Sequence, residues 1–384
     1  MSLKLLIIAG DYLPPCSGSS ERIWDLSKEI ATKFKCRVVL SMHLWREFRI
    51  KNVENVNIIP LPQWRFRIWE LFKWIKQLIK SGRYNVLQVE LFQPLRSIII
   101  KVILHLWAEK SVLIIHDLSW LYDIAQAKGP SKIIKHLLVL LNFYLYDIVI
   151  FVGKDLEHYV RRCYEKVLKN KIAVLPSGTP KLATLSKQDP ATIREKLGLP
   201  KDYFIVAFFG PLHAPFNREA VAYLYSVAEY VAQCFKEATG KNLLFVIAGR
   251  GSEKLRSLPF IRALGFIENI FDLLTAVDAC IVPHSPSYTG PHIKTLYALA
   301  AGCPLLTTSD GIKGLHELGL KKNEHYMFFD KDDVNTLVEA LIELKKNSKL
   351  RQKIATKARY LVVRYTWENI AREYIKLMLK VFQR

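Results

Sequence analysis

The residues best placed to do chemistry lie in 279–308. There a short apolar run, Ala279-Cys280-Ile281-Val282, is followed by Pro283 and then by Gly290-Pro291-His292-Ile293-Lys294. Pro283 stops the run, and Gly290 is expected to open a helix with Ile293, Leu296 and Ala300 on one face. Gly302 closes that helix, Pro304 bars its continuation, and 304–308 is the next strand. Backbone N–H groups after Gly290 face the space beyond the preceding strand, where the helix dipole favours an anion. Lys294 adds a full positive charge one turn in. The chemistry this implies is phosphate binding on a βαβ unit. The same residues also suit a buried crossover with a solvated lysine, and a glycine at a helix start does not choose between them.

A second candidate is His116, which follows the apolar run Val112–Ile115. A histidine at the carboxyl end of a parallel strand points into the ligand crevice of an open α/β sheet. It could donate to a sugar hydroxyl or move a proton, or serve a turn as a structural residue. In 16–20, small residues around Gly18 would let a ligand approach the backbone, with a helix expected over 20–34 capped by Ser20. An ordinary strand-to-helix turn has the same composition.

The elements that must position these residues follow a repeating order. Apolar strands are expected near 3–9, 38–41, 56–60, 86–90, 112–115, 147–152 and 172–176, with helices between them. After a polar linker, 177–202, the pattern restarts with strands near 204–209, 243–248, 263–266 and 279–282 and ends in helices at 334–346, 348–363 and 367–382. This predicts an α/β chain of two doubly wound, Rossmann-like parallel sheets facing a cleft. The domains are expected at 1–178 and 179–365, with a C-terminal helix at 366–384.

Two basic-aromatic stretches stand apart, Trp45–Lys51 and Trp64–Lys80. In the second, Ile68, Leu71, Phe72, Ile75 and Leu78 share a helical face, while Arg65, Lys73, Lys76 and Lys80 lie off it. That composition suits a helix in a membrane interface, with Trp64, Trp69, Phe72 and Trp74 as membrane contacts. A core-packed amphipathic helix with a solvated basic face is the competing reading.

Composition narrows the function classes. The chain has 384 residues, 51% of them hydrophobic, and a net charge of +21. The excess is shared: 27 basic against 15 acidic residues up to residue 180, and 29 against 20 beyond it. Such charge suits nucleic acid, anionic lipid or phosphorylated substrates. No nucleic-acid module is visible, so no nucleic-acid partner is expected. Membrane-spanning runs and a signal-peptide pattern are not expected, and the six scattered cysteines suit a reducing, cytoplasmic setting. There is no GxxxxGK[ST], GxGxxG or GxSxG motif, and no paired metal ligands, so neither a metal nor a cofactor is expected.

Taken in order, several short motifs resemble the retaining, nucleotide-sugar-dependent glycosyltransferases of the GT-B fold, the family-four-like group 1 class. They are Pro14-Pro15 with Gly18 and Glu21-Arg22, His116-Asp117, Leu175-Pro176-Ser177-Gly178, Phe209-Gly210-Pro211-Leu212, Ala248-Gly249-Arg250-Gly251, Leu264–Ile270 and Thr289–Pro304. Trp367 fits the start of a helix crossing back to the first domain. The resemblance implies a cytoplasmic, peripheral membrane enzyme of glycan biosynthesis that uses a nucleotide-diphosphate sugar as co-substrate and needs no metal. Its acceptor would be a glycan or lipid-linked molecule at an anionic membrane surface. The implied catalytic residue is His116, lining the donor sugar. Gly18 would approach donor phosphate or acceptor, Ile267 would contact the base, and Gly290, Pro291, His292 and Ile293 would bind phosphate with Lys294. Two places depart from the family pattern. Thr289 and Tyr297 stand where a pair of glutamates is usual, and Pro211 and Phe216 where an arginine and a lysine are usual. Gly210 would border the donor, with His213, Arg218 and Arg250 replacing the lost charge, and Tyr297 would meet the nucleotide. The departures also admit a catalytically weakened protein acting as a binding or scaffold subunit.

Overall fold

The computed structural model describes residues 3–13, 15, 17–44, 53–62, 68–90, 93–180, 188–285 and 290–383. Its contacts divide the chain into two compact units, one of Met1–Gly178, Tyr288–Gly290 and Trp367–Arg384, the other of Thr179–Ser287 and Pro291–Thr366.

The first unit contains β1 (Lys4–Leu13), α1 (Gly18–Lys33), β2 (Arg37–Leu44), β3 (Val56–Ile58), α2 (Ile68–Lys80), β4 (Tyr84–Val89) and α3 (Pro94–Leu104). It continues with β5 (Ala108–Ile115), α4 (Ser119–Gln126), α5 (Pro130–Leu145), β6 (Ile148–Phe151), α6 (Lys154–Leu168) and β7 (Ile172–Val174). The strands form one parallel sheet in the order β3-β2-β1-β4-β5-β6-β7. Their centres are continuous apolar runs, such as Leu5–Ile8 and Val112–Ile115, each residue at most 1% exposed. Such runs are what a parallel sheet covered on both faces requires.

The second unit repeats the plan. After α7 (Pro190–Lys196) come β8 (Phe204–Phe209), α8 (Pro215–Thr239), β9 (Leu243–Ala248), β10 (Ile261–Gly265), α9 (Ile270–Ala276) and β11 (Ala279–Val282). Then follow α10 (Ile293–Ala301), β12 (Leu305–Thr307), β13 (Met327–Phe328), α11 (Val334–Lys346) and α12 (Ser348–Val362). The sheet order is β10-β9-β8-β11-β12-β13, again all parallel. The last helix, α13 (Trp367–Phe382), packs on α1 of the first unit. Gly178 makes this possible, because a Cβ there would come within 2.6 Å of the Trp367 ring.

Both sheets reverse strand order once, between β1 and β4 and between β8 and β11. Ligands of open α/β sheets bind beyond the carboxyl ends of the strands at such a reversal. The two-sheet expectation holds, and α4 and β13 are additions to it. Two boundaries differ. Ser17, not Ser20, caps α1: its hydroxyl accepts from the Ser20 N–H at 3.1 Å, and Gly18 is the first helical residue. The helix expected from Gly290 begins at Ile293, with His292 in the extended conformation of a cap.

Candidate functional site

In the second unit the strand reversal gathers a compact basic site. β8 is followed by Gly210, whose φ of +152° suits glycine, and a Cβ there would meet Asn217 Nδ2 at 2.8 Å and Lys294 Nζ at 3.0 Å. Asn217, in the first turn of α8, is 1% exposed. Its Nδ2 donates to the Pro211 carbonyl at 2.8 Å, and its Oδ1 accepts from Lys294 Nζ. Lys294 comes from the first turn of α10 and is only 9% exposed. Its ammonium lies 4.5 Å from the centroid of the Phe208 ring and 5.6 Å from that of Phe216. Both ring faces and the Asn217 carbonyl favour the charged form. Burial opposes them and wins, pushing the lysine down to about 7, with Cys280 resisting the shift.

Two imidazoles complete the arrangement. His284, just past β11, and His292 lie with ring centroids 4.1 Å apart. The Phe216 ring packs near both, at 5.4 Å and 5.7 Å. Burial, with Lys294 close by, holds His284 well below the ordinary histidine range and takes His292 to about 3, so both are neutral at physiological pH. The His284 carbonyl accepts from Thr308 Oγ1 at 2.7 Å, which fixes its backbone. The Phe216 backbone faces the His284 ring, yet neither ring nitrogen makes a hydrogen bond of good geometry among the described residues. A buried polar side chain left this way is suited to a ligand. One protonatable amine and two neutral imidazoles make a site for an anion.

The loops beyond β8, β9 and β10 are laced together beside it. Gly210 N–H donates to the Ala248 carbonyl at 3.0 Å, Leu212 N–H to Arg250 at 2.9 Å, and Gly249 N–H to Gly265 at 2.7 Å. A Cβ at Gly249 would lie 2.3 Å from the Gly210 oxygen, so the loops approach this closely only as glycines. Arg218 donates to the Leu212 and His213 carbonyls at 3.2 and 2.8 Å and so shapes the loop itself. Arg250 is exposed and stacks over Phe266 at 4.6 Å, next to half-buried Ile267. His213 is exposed. Pro291 packs against Gly314, where a Cβ would come within 2.5 Å of its ring, and Ile293 is buried in α10. Tyr297 is buried against Phe271 of α9, with ring centroids 5.2 Å apart. Thr289 lies outside the described residues.

The first unit holds a separate cluster at its own reversal. His116, after β5, has Nε2 2.7 Å from Oε2 of Glu90, which follows β4 and is 6% exposed. The other Glu90 oxygen accepts from the Gln88 amide. Asp11, in the irregular stretch of β1, accepts from the Ser17 and Ser19 hydroxyls, both at 3.0 Å. Loss of water around this carboxyl raises its pKa, with His116 and the two hydroxyls pulling the other way. Gly290 groups with this unit, and a Cβ on it would fall 1.9 Å from the His116 carbonyl oxygen. Asp117 serves the turn, accepting from the Ser119 N–H and hydroxyl at 2.9 and 2.6 Å.

Sequence reasoning did not single out Glu90, Asn217 or His284. An acid at the carboxyl end of β4 was the available signal for Glu90, and the spacing from Gly210 to Phe216-Asn217 was the one for Asn217; His284 had none. The expected membrane contacts divide. Trp69 and Phe72 are 71% and 58% exposed, and Trp64 lies outside the described residues. Trp74 is a correction: it is 3% exposed and its Nε1 donates to Ser41 Oγ of β2 at 2.8 Å. The inner face of α2 is Trp74 and Leu78, because that face lies on the sheet, while Phe72 points outward.

Comparison with known proteins bears on this geometry. Residues 203–347 match the sequence profile of a family described as Glycosyl transferases group 1. No curated protein matches the chain in sequence. Among solved structures, a sucrose-phosphate synthase from Thermosynechococcus elongatus is similar over 100% of both chains, with TM-score 0.72 and 17% identity. HepE from Anabaena, in complex with UDP-glucose, is similar over 98% of this chain and 100% of its own, with TM-score 0.71 and 14% identity. WaaG, a glycosyltransferase involved in lipopolysaccharide biosynthesis, is similar over 97% and 99%, with TM-score 0.69 and 16% identity. The chain has the GT-B fold. The stretch that matches the group 1 profile falls largely within the second unit and includes Gly210, Asn217 and Lys294.

Proposed function

We propose that this protein is a glycosyltransferase that moves a sugar from a nucleotide-diphosphate sugar to a glycan or lipid-linked acceptor at the cytoplasmic face of a membrane. The observation that carries this reading is the Lys294 cradle, an anion site at the β8/β11 reversal within the stretch that matches group 1 glycosyltransferases. The UDP-glucose complex of HepE, which has the same fold, supports a nucleotide sugar as the ligand.

Cleavage of the sugar–phosphate bond leaves positive charge on the sugar and adds negative charge to the departing diphosphate. A preorganised cation beside the leaving group stabilises that transition state more than the ground state. Lys294 fills this role without a metal, held at a fixed place by Asn217 and between aromatic rings. His284 and His292, being neutral, supply hydrogen-bonding nitrogens without repelling the lysine. Arg250 meets the outer part of the nucleotide. His116, oriented by Glu90, lines the sugar, and transfer proceeds with retention of configuration, as in the glycosyltransferases the sequence resembles. Exposed Trp69 and Phe72 beside the lysines of α2 support the membrane setting.

Thermal stabilisation against a panel of nucleoside diphosphates tests donor binding, and release of nucleoside diphosphate from the matching sugar nucleotide tests turnover. Stabilisation of several degrees by one diphosphate, lost in Lys294→Ala, is the expected result. No shift with any nucleotide would refute it. A second reading, a binding subunit weakened in catalysis, draws on Tyr297, which is packed against Phe271 where a carboxylate is usual. Stabilisation without turnover would favour it.

A further inference from the structure

The second unit gathers basic residues at a second place besides the Lys294 cradle. The cradle lies at the β8/β11 reversal. β9 lies on the other side of β8, and a groove of about 530 Å³ opens there, a volume typical of small-molecule sites. One wall is a face of α8, where Arg218, Val221, Ala222 and Tyr225 follow at i, i+3, i+4 and i+7. The other is the segment after β9, with Lys254, Leu255 and Arg256, and Leu212 and Gly251 complete the lining. Of the residues that the sequence assigns to the donor, only Arg218 lines this groove among the described residues.

The charge on its walls has one sign. Arg218, Lys254 and Arg256 are exposed cations, and no carboxylate lines the groove among the described residues. Glu253, next to Lys254, accepts from the Gly251 N–H at 2.8 Å. A groove of about 470 Å³ on α6 is the contrast: there Asp155 and Glu157 stand beside Lys154 and Arg162, so the charges cancel. Arg218 commits Nη1 to the Leu212 and His213 carbonyls, at 3.2 and 2.8 Å. A guanidinium has five N–H donors, so its Nη2 and Nε remain for a ligand. Between the cations the surface is apolar. Leu212, Tyr225 and Leu255 are half-buried and packed on the core of the unit, and Val221 is buried. The Tyr225 hydroxyl donates to the Arg256 carbonyl, which ties the two walls together and leaves the ring to the groove. A bare phosphate would meet the cations and leave this apolar wall in water; a hydrocarbon would do the reverse.

We infer that this groove is a second anion site, separate from the donor cradle, for a phosphate monoester carried on an apolar body. The phosphate draws on the three cations, and a dianion gains more from them than a single carboxylate does. The body covers Leu212, Tyr225 and Leu255. A small molecule fits better than a macromolecule, because the walls are one helix face and one short turn. The site goes beyond the function proposed above and does not depend on it. It is tested without donor or acceptor, so its failure and a failure of glycosyl transfer are separate results.

The experiment is titration calorimetry of the full chain with phenyl phosphate, inorganic phosphate and phenol. Phenyl phosphate should bind about tenfold more tightly than inorganic phosphate, from the apolar area it covers, and phenol should not bind measurably. The binding should persist in Lys294→Ala, where the donor cradle has lost its cation. Lys254→Glu with Arg256→Glu should weaken it about tenfold or more. Ala222→Glu, at an exposed position on the α8 wall, keeps every basic residue and should do the same. Both groove variants should melt as the wild type does, because the changed positions are exposed. Binding that is lost in Lys294→Ala and unchanged in the two groove variants would overturn the inference, since the anion would then sit in the donor cradle alone. Equal affinity for phenyl phosphate and inorganic phosphate, or no binding of either, would overturn it as well.

Discussion

Helices α2 and α10 both set lysine among aromatic rings, and the two outcomes are opposite. On α2, Lys73, Lys76 and Lys80 are exposed beside exposed Trp69 and Phe72. On α10, Lys294 is buried, bonded to Asn217 and held near Phe208 and Phe216. Local composition does not separate them. Position in the topology does. α2 crosses the outside of a sheet, so its lysines meet water while, among its described side chains, Trp74 and Leu78 are buried. α10 starts beyond β11, at the strand reversal, where loops from β8 and α8 close over its first turn. A cation there loses water on every side, and its pKa falls to about 7.

The comparison breaks most readily at Trp74. If α2 is an ordinary sheet-covering helix on its inner side, Trp74→Ala removes a buried ring and leaves the buried Ser41 hydroxyl without its donor. Denaturant unfolding should then show a loss of about 3–5 kcal/mol. A loss under about 1 kcal/mol would mean that the inner face of α2 is not core.

Lys294 comes next. Lys294→Ala should lower turnover by about 10²–10³-fold, the usual cost of removing one preorganised group at a developing charge. Lys294→Met should do the same while stabilising the free protein. The sign follows from the direction of the shift. The folded value of about 7 lies below the ordinary 10.5, so the native state binds fewer protons than the unfolded chain between those values. Wild-type stability therefore rises with pH across that window, and below pH 7 the full cost of burying the charge is present. The gain from Lys294→Met should be on the order of a few kcal/mol at pH 6 and fade toward pH 10.5. Melting curves at the two ends of the range decide it, and a pH-independent difference would contradict the burial argument.

The same shift gives a smaller, sharper prediction. At pH 8 most Lys294 amines are neutral, and an arriving diphosphate favours the protonated form. Binding should take up part of a proton, measurable by calorimetry in buffers of different ionisation enthalpy, and affinity should fall as pH rises past 7. Uptake that persists in Lys294→Met would move its source elsewhere.

Much of this was legible in the sequence, for reasons visible in particular elements. The strands of the second unit, such as Phe204–Phe209 and Leu243–Ala248, are short apolar runs bounded by glycine, and their limits can be read directly. Lys294 stood out because glycine and a helix start mark an anion site. Its burial did not, since only the β8/β11 reversal brings Gly210 and Asn217 to it. Glu90 and His116 are 26 residues apart and meet because β4 and β5 are neighbours in the sheet. Trp74 misled because tryptophan and lysine on one helix look alike whether the ring faces lipid or sheet.

The smallest expected effect concerns Trp69 and Phe72. Their rings lie 6.4 Å apart, tilted 55°, and both are mostly in water in the folded chain. Water surrounds them in the unfolded chain too, so folding gains little from either. Trp69→Ser and Phe72→Ser should each change stability by no more than about 0.5 kcal/mol. In a unit of this size that moves the melting temperature by about 2 °C at most. Any loss of vesicle affinity in these variants would then be a property of the surface and not of a damaged fold. If either variant instead melts many degrees lower, the ring is covered by this protein's own structure. The lysines of α2 would then be shielded as Lys294 is, and the contrast between the two helices would collapse.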